Sequence, residues 1–199
     1  MRLGQARHWV FDLDGTLTEP VHDFAFMRRT LDIPEVDDIL MHLAALPESE
    51  AAAKHAWLLP YERELAEAAR PAPGAVALVR ELHRRGCRLG ILTRNAHELA
   101  RLTLEAIDLG DLFDGADTLG RNEAPPKPHP GGLLHLAARW VVAPAALVMV
   151  GDYRFDLECA RAAGAHAVLV NLPENLWPEL TDTHAPDCLA LRQLIDAAA

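Results

Sequence analysis

Phe11-Asp12-Leu13-Asp14-Gly15-Thr16 closes a short apolar run that starts at His8, and the reading of this junction decides the fold. The run predicts a strand over His8–Leu13, and Gly15 behind it lets the chain turn sharply. Strand side chains two apart point the same way, so Asp12 and Asp14 can face one reaction centre as the strand ends. Similar runs predict strands over Arg88–Thr93, Ala146–Gly151 and Ala165–Asn171, with weaker signals at Asp114–Thr118 and Asp187–Leu189. Stretches such as Val148-Met149-Val150 are apolar on both faces, as in strands covered by helices on either side.

Helical patterns fill the intervals. Ala75–Arg85 is apolar on one face and ends at Gly86, a residue suited to closing a helix. Asn95-Ala96-His97-Glu98 reads as a capping box that opens a helix carrying Ala100, Leu104 and Ile107. Gly131–Trp140, Phe155–Ala163 (stopped by Gly164) and Leu189–Ala198 complete the set. Such alternation implies an α/β protein with an open parallel sheet, in which ligands bind beyond the carboxyl ends of the strands.

One segment interrupts the alternation. From Glu19 to Arg70 the patterns are helical only: Asp23–Leu31, Val36–Leu46 and Pro47–Ala69. Pro60 is expected to kink or divide the last of these, because it removes a backbone donor and crowds the preceding turn. Pro71-Ala72-Pro73-Gly74 reads as a hinge back to the sheet. Residues 1–18 and 72–199 are therefore expected to form a core, and 19–71 a helical cap above the sheet edge. Trp57, Leu58 and Leu59 are read as exposed apolar residues, which fits a packed cap or a dimer contact, so a monomer and a homodimer both stay open.

Composition narrows the partners. The 199 residues are 50% hydrophobic and 24% charged, with a formal net charge of -10 and a pI near 5.4. That balance disfavours nucleic acid and anionic membranes, which are met by basic stripes. No apolar stretch is long enough to span a bilayer, and Met1–His8 lacks a signal-peptide core. Cys87, Cys159 and Cys188 are widely spaced with no zinc-ligand pattern, so each is expected to pack as a small hydrophobe in a reducing cytoplasm. Lysines number only two, Lys54 and Lys127, and any phosphate held by so acidic a chain needs local positive charge.

Four motifs carry the chemistry. Asp12 is a competent nucleophile for a phosphoryl group and Asp14 can manage the proton, although an ordinary Asp-Gly turn has the same sequence. Thr93 and Asn95 can form a phosphate-binding corner or merely a helix cap, and Arg94 can touch substrate or simply be solvated. Lys127 lies between prolines 125, 126, 128 and 130, in a stiff loop suited to a fixed cation, with His129 read as a loop residue. Asp152 and Asp156 offer hard oxygens to Mg²⁺, or cap the helix that follows.

Taken in order, these motifs resemble those of the haloacid dehalogenase superfamily, in its phosphatase branch with a small helical cap after the first motif. The resemblance runs from His8 to about Leu194 and implies a Rossmann-like three-layer core. It implies Asp12 as the nucleophile that forms an aspartyl-phosphate and Asp14 as the acid and base. Thr93, Arg94, Asn95 and Lys127 would contact the phosphorylated substrate, with Lys127 balancing charge. Mg²⁺ would be held by Asp12, the backbone carbonyl of Asp14 and Asp152, with Asp156 beside them. Dehalogenases of the superfamily lack an acid at the position of Asp14, so a phosphatase is expected. Its substrate would be a small phosphorylated metabolite: phosphoglycolate, a sugar phosphate or a nucleoside monophosphate. A phosphomutase and a non-catalytic binding protein are the alternatives. In the cap, His22, Phe24, Arg28 and His42 can face the site, with Arg28 able to clamp a second anionic group, while the plainer reading packs Phe24 in the cap and leaves Arg28 and Arg29 solvated. His55 and Trp57 are assigned to core packing or to a contact between cap and partner rather than to catalysis.

Overall fold

The first apolar run becomes β1 (His8–Phe11), and its last residues peel away from the sheet into the turn at Gly15. A computed structural model describes residues 1–198. After β1 come three helices, α1 (Phe24–Thr30), α2 (Ile39–Ala45) and α3 (Glu48–Glu67). The chain then alternates through α4 (Ala75–Arg84), β2 (Arg88–Leu92), α5 (His97–Ala106), β3 (Thr118–Leu119), α6 (Gly131–Trp140) and β4 (Leu147–Gly151). It closes with α7 (Arg154–Ala163), β5 (His166–Leu169), β6 (Thr183–His184) and α8 (Cys188–Ala197).

The six strands form one parallel sheet in the order β3-β2-β1-β4-β5-β6. The chain works outward from β1 to β3, then restarts on the other side of β1 with β4. Connections therefore diverge at the carboxyl ends of β1 and β4, leaving a crevice at the switch point. Register puts Phe11 level with both Ile91 and Val150, so the residues that follow β1, β2 and β4 arrive at one edge together.

Alternation along the strands builds the two sides of the core. Trp9, Phe11, Val148, Val150 and Val168 pack with the apolar faces of α4, α5 and α8. Val10, Met149, Ala167 and Leu169 face the opposite way, onto α6 and α7. The result is a helix–sheet–helix arrangement, and each large side chain fully withdrawn from water contributes about 1.5–3 kcal/mol to holding it. Cys87, Cys159 and Cys188 are buried, unpaired thiols. Among the described residues, no helix is long and apolar enough to cross a membrane.

Residues 24–67 leave this core as a unit. The departing and returning segments are tied at Thr18 and Pro71 by an antiparallel bridge, with Glu19 N–H donating to Arg70 at 2.9 Å and Ala72 N–H to Leu17 at 2.9 Å. Asp23 and Asp38 cap α1 and α2 by accepting from the amides of Phe26 (2.8 Å) and Met41 (3.1 Å). Met27, Leu31, Ile33, Ile39, Leu43 and Leu58 form an apolar cluster of their own, with Trp57 and Tyr61 packed against it.

Four sequence expectations are corrected here. Asp187–Leu189 is not a strand: Asp187 caps α8 through the Ala190 amide (2.7 Å), and the edge strand lies earlier, at Thr183–His184. Asp114–Thr118 is mostly a 3₁₀ turn over Gly115–Asp117, with pairing confined to Thr118–Leu119. Pro60 does not divide α3, because both it and Ala56, whose carbonyl loses the usual donor, lie on the exposed side. Leu58 is not exposed but fully buried between α3 and its neighbours, whereas Leu59 is exposed.

Two substitutions should move stability in opposite directions. Phe11→Ala, deep in the central strand, should destabilise by about 3–5 kcal/mol. Val141 is 89% exposed and holds a left-handed backbone (φ 58°) after α6, so Val141→Gly should stabilise by about 1 kcal/mol. Denaturant titrations of both variants check these signs.

Candidate active site

Everything at the site depends on how β1 stops. Asp12 N–H still donates to Val150 at 2.9 Å, and the chain then turns through Gly15 with φ +79°. A Cβ at Gly15 would run into the Asp152 carboxylate, so both the dihedral and the space demand glycine. The turn is fixed from outside by Asn171, whose side-chain amide donates to the carbonyls of Gly15 (2.7 Å) and Thr16 (2.8 Å). Thr16 donates its hydroxyl to Asp152 at 2.7 Å, a carboxylate just beyond the end of β4 rather than one within the turn.

Asp12, Asp152 and Asp156 converge beyond β1 and β4, with one carboxylate oxygen from each lying within 4.8 Å of the others. Gly151 has no room for a side chain against Asp156, which lets α7 approach the strand end closely. Asp156 also accepts from the Tyr153 amide at 3.1 Å, so it caps α7 and faces the site at once. The loop after β3 brings Lys127 into the cluster, with its ammonium 2.6 Å from Asp12 Oδ1 and 2.6 Å from Asp156 Oδ1 and only 3% of the residue exposed. Burial alone would favour a neutral amine there, but Asp12 and Asp156 hold Lys127 firmly protonated.

The crowding shows in the acids. Asp152 is pushed up to about 7 by burial and by the charges of Asp12 and Asp156. Asp156 is pushed up to about 6 by burial, against the pull of Lys127. Asp14 is likewise raised to about 6 by burial, with His22, 3.7 Å away, pulling in the opposite direction and Asp12 reinforcing the rise. These acids outnumber the single buried lysine, and Asp12, Asp152 and Asp156 could together hold a metal ion.

β2 delivers the remaining polar groups. Thr93 is buried and its hydroxyl oxygen accepts from the Asn95 amide at 3.2 Å. Asn95 does not cap α5: the helix begins at His97 with Ala96 as its cap residue and no side-chain bond. Asn95 is taken instead by Asp14, to whose Oδ2 it donates at 2.7 Å. Arg94 is not solvated. It donates to both carboxylate oxygens of Asp38, each at 2.6 Å, and its guanidinium lies 5.0 Å over the ring of Phe155.

Asp12, Asp14, Thr93, Arg94, Asn95, Lys127, Asp152 and Asp156 all line one cavity of about 540 Å³. The helical insertion closes its far side with His22, Phe24, Arg28, Asp38, Ile39 and Glu62 among others. Phe24 is 54% exposed and stacks on His22 rather than packing inside the insertion. Arg28 is half-buried, its Nε donating to the Asp37 carbonyl at 3.1 Å, while Arg29 is exposed. Against expectation, His42 does not line the cavity but pairs with the Asp37 carboxylate at 2.9 Å, and His55 is exposed rather than packed in the core. Trp57 stacks on Tyr61. Glu62, Arg121 and Asp38 escaped sequence reasoning: Glu62 and Arg121 form a bidentate pair (2.9 and 3.0 Å) between α3 and the loop after β3. Only Asp38 carried a local signal, as an acid just before an apolar helix.

Known proteins fit this geometry. The model of the haloacid dehalogenase-like hydrolase family matches residues 7–164. A haloacid dehalogenase-like hydrolase domain-containing protein of Arabidopsis thaliana is 31% identical over 182 residues, 85% of this chain and 73% of that protein. A phosphoglycolate phosphatase of Shigella boydii is 30% identical over 177 residues, 83% of this chain but 63% of that protein. The crystal structure of a hydrolase from Pseudomonas syringae superposes with a TM-score of 0.78 at 22% identity, covering 98% of this chain and all of the other. With the match extending from before β1 to the end of α7, this chain belongs to the haloacid dehalogenase-like hydrolase family.

Proposed function

We propose that this chain is a Mg²⁺-dependent phosphatase that hydrolyses a small phosphomonoester through an aspartyl-phosphate on Asp12. The observation that carries the reading is the grouping of a nucleophile, a proton donor, a fixed cation and a spare set of carboxylates at one sheet edge. The likeness to a phosphoglycolate phosphatase supports the reaction class. In this reading residues 19–71 act as the cap that shields the reaction.

Asp12 attacks phosphorus while Lys127, bonded to its other face, fixes the carboxylate and offsets charge on the phosphoryl oxygens. Asp14, raised to about 6 and held by Asn95, keeps a share of protonated carboxyl near neutral pH and protonates the leaving oxygen. The same carboxylate then takes a proton from the water that attacks the phospho-enzyme. Thr93 positions the transferring group with its hydroxyl, which has no acceptor among the described hydrogen bonds. The donor set suits a hard cation: Asp12, Asp152 and the Asp14 carbonyl would hold Mg²⁺, with Asp156 adjacent. When bound, Mg²⁺ neutralises the phosphate oxygens and the crowded carboxylates.

Phosphate release from p-nitrophenyl phosphate should require Mg²⁺ and stop with EDTA. Asp12→Asn should lower it by about four orders of magnitude or more while leaving the circular dichroism unchanged. Full activity in that variant sinks the mechanism. Metal binding has a readout of its own: Mg²⁺ at about 100 times its Kd should add about 2.7 kcal/mol, raising Tm by roughly 5–10 °C. Asp152→Asn should abolish that shift, and an unchanged shift would remove Asp152 from the metal site.

A further inference from the structure

Beyond the floor of the cavity, where the phosphoryl group would sit, the outer half must receive the alcohol portion of the substrate. Arg94 and Glu62 there are each neutralised by a partner. Arg94 commits its Nη2 to both oxygens of Asp38, at 2.6 Å each, and Asp38 is held below the usual carboxylate range by that contact and by the Met41 amide, against partial burial. Arg28 directs its Nε at the Asp37 carbonyl, and the Asp37 carboxylate is bonded to His42. Glu62 is neutralised by Arg121. Of the two arginines of the outer pocket, Arg94 thus meets a carboxylate, whereas Arg28 donates only to the backbone carbonyls of Asp37 and Phe24. Between these pairs the lining is apolar and partly wet: Phe24 and Tyr153 are 54% and 52% exposed, and Val36 is 93% exposed.

We propose that Asp38 sets the substrate class of this site by occupying Arg94. The pocket then takes phosphomonoesters of uncharged alcohols with an apolar or aromatic face and discriminates against alcohols bearing a second anion. The inference rests on the phosphatase reading and goes further by naming the leaving group and the residue that selects it. The chemistry follows from the geometry. A carboxylate on the alcohol can take the Nη2 of Arg94 only by displacing Asp38, and beside the intact pair it stands next to a like charge in a half-buried wall. An uncharged alcohol leaves the pair intact and covers the exposed apolar lining. Asp38 is in effect a resident anion, a repulsive element that excludes the wrong ligand.

Asp38→Asn separates the charge from the fold, because asparagine caps α2 as well as aspartate does. The test compares kcat/KM for 2-phosphoglycolate and for ethyl phosphate, in the wild type and in the variant, with Mg²⁺ present. The wild type should use 2-phosphoglycolate no better than ethyl phosphate, although glycolate is the better leaving group. In Asp38→Asn the ratio should swing toward 2-phosphoglycolate by about tenfold or more, the scale of one freed charge partner. The double variant Asp38→Asn/Arg94→Met should lose that gain, which ties it to the guanidinium rather than to a loosened cap. A wild type that strongly prefers 2-phosphoglycolate, or a ratio unmoved by Asp38→Asn, overturns the proposal while leaving the phosphatase reading intact. If neither ester turns over, p-nitrophenyl phosphate decides the phosphatase reading, and calorimetric titration of the same two esters in Mg²⁺ still decides specificity. A relative tightening of 2-phosphoglycolate by about tenfold in the variant supports the proposal. No change, or no binding by either protein, overturns it.

Discussion

Lys127 sits with its ammonium between Asp12 and Asp156, 2.6 Å from each and almost out of contact with water. Removing either carboxylate leaves a buried ammonium short of a partner, and removing the lysine leaves the buried Asp156 and the half-buried Asp12 facing a third acid at Asp152. No arrangement of these groups is comfortable in a protein interior, and none is expected from packing alone. Their presence together is a cost to the fold that chemistry at the site explains. The surrounding structure holds them in place: β1 and β4 fix two acids in register, Gly151 lets α7 bring in the third, and the proline-bordered loop after β3 limits where the lysine can go.

The sheet supplies position and the helical insertion supplies enclosure. Besides the packing of α3 on α5, its contacts around the cavity are polar. Asp38 meets Arg94, Glu62 meets Arg121 and His22 approaches Asp14, while the apolar cluster of α1–α3 is turned inward on itself. Ion pairs of this kind contribute little to stability when hydrated, but they fix orientation and choose which ligands fit. One side of the cavity is therefore tuned by charges that belong to a different part of the chain from those on its floor.

Much of this was legible in the residues. Apolar runs with β-branched content marked β1, β2, β4 and β5, because a strand buried on both faces needs such runs whatever its neighbours are. The eight proposed site residues line a single cavity because strand ends in a parallel sheet converge at one edge. Other features were out of reach. Asn95 looked like a helix cap, and its side chain was claimed instead by Asp14, 81 positions earlier in the chain. Arg94 looked solvated because nothing local reveals a bidentate partner 56 positions away. Thr183–His184 is too short to carry a period, and its pairing is set by β5 alone. Local propensity cannot report contacts that only the fold creates.

The central claim is that Asp12 carries the phosphoryl group. Mixing the protein with Mg²⁺ and p-nitrophenyl phosphate, quenching during turnover and reducing with borohydride converts an acyl phosphate to homoserine, which peptide mass spectrometry locates. The account predicts homoserine at position 12 and unmodified aspartate at positions 14, 152 and 156. Turnover with position 12 unmodified, or with the label at Asp14, would contradict it.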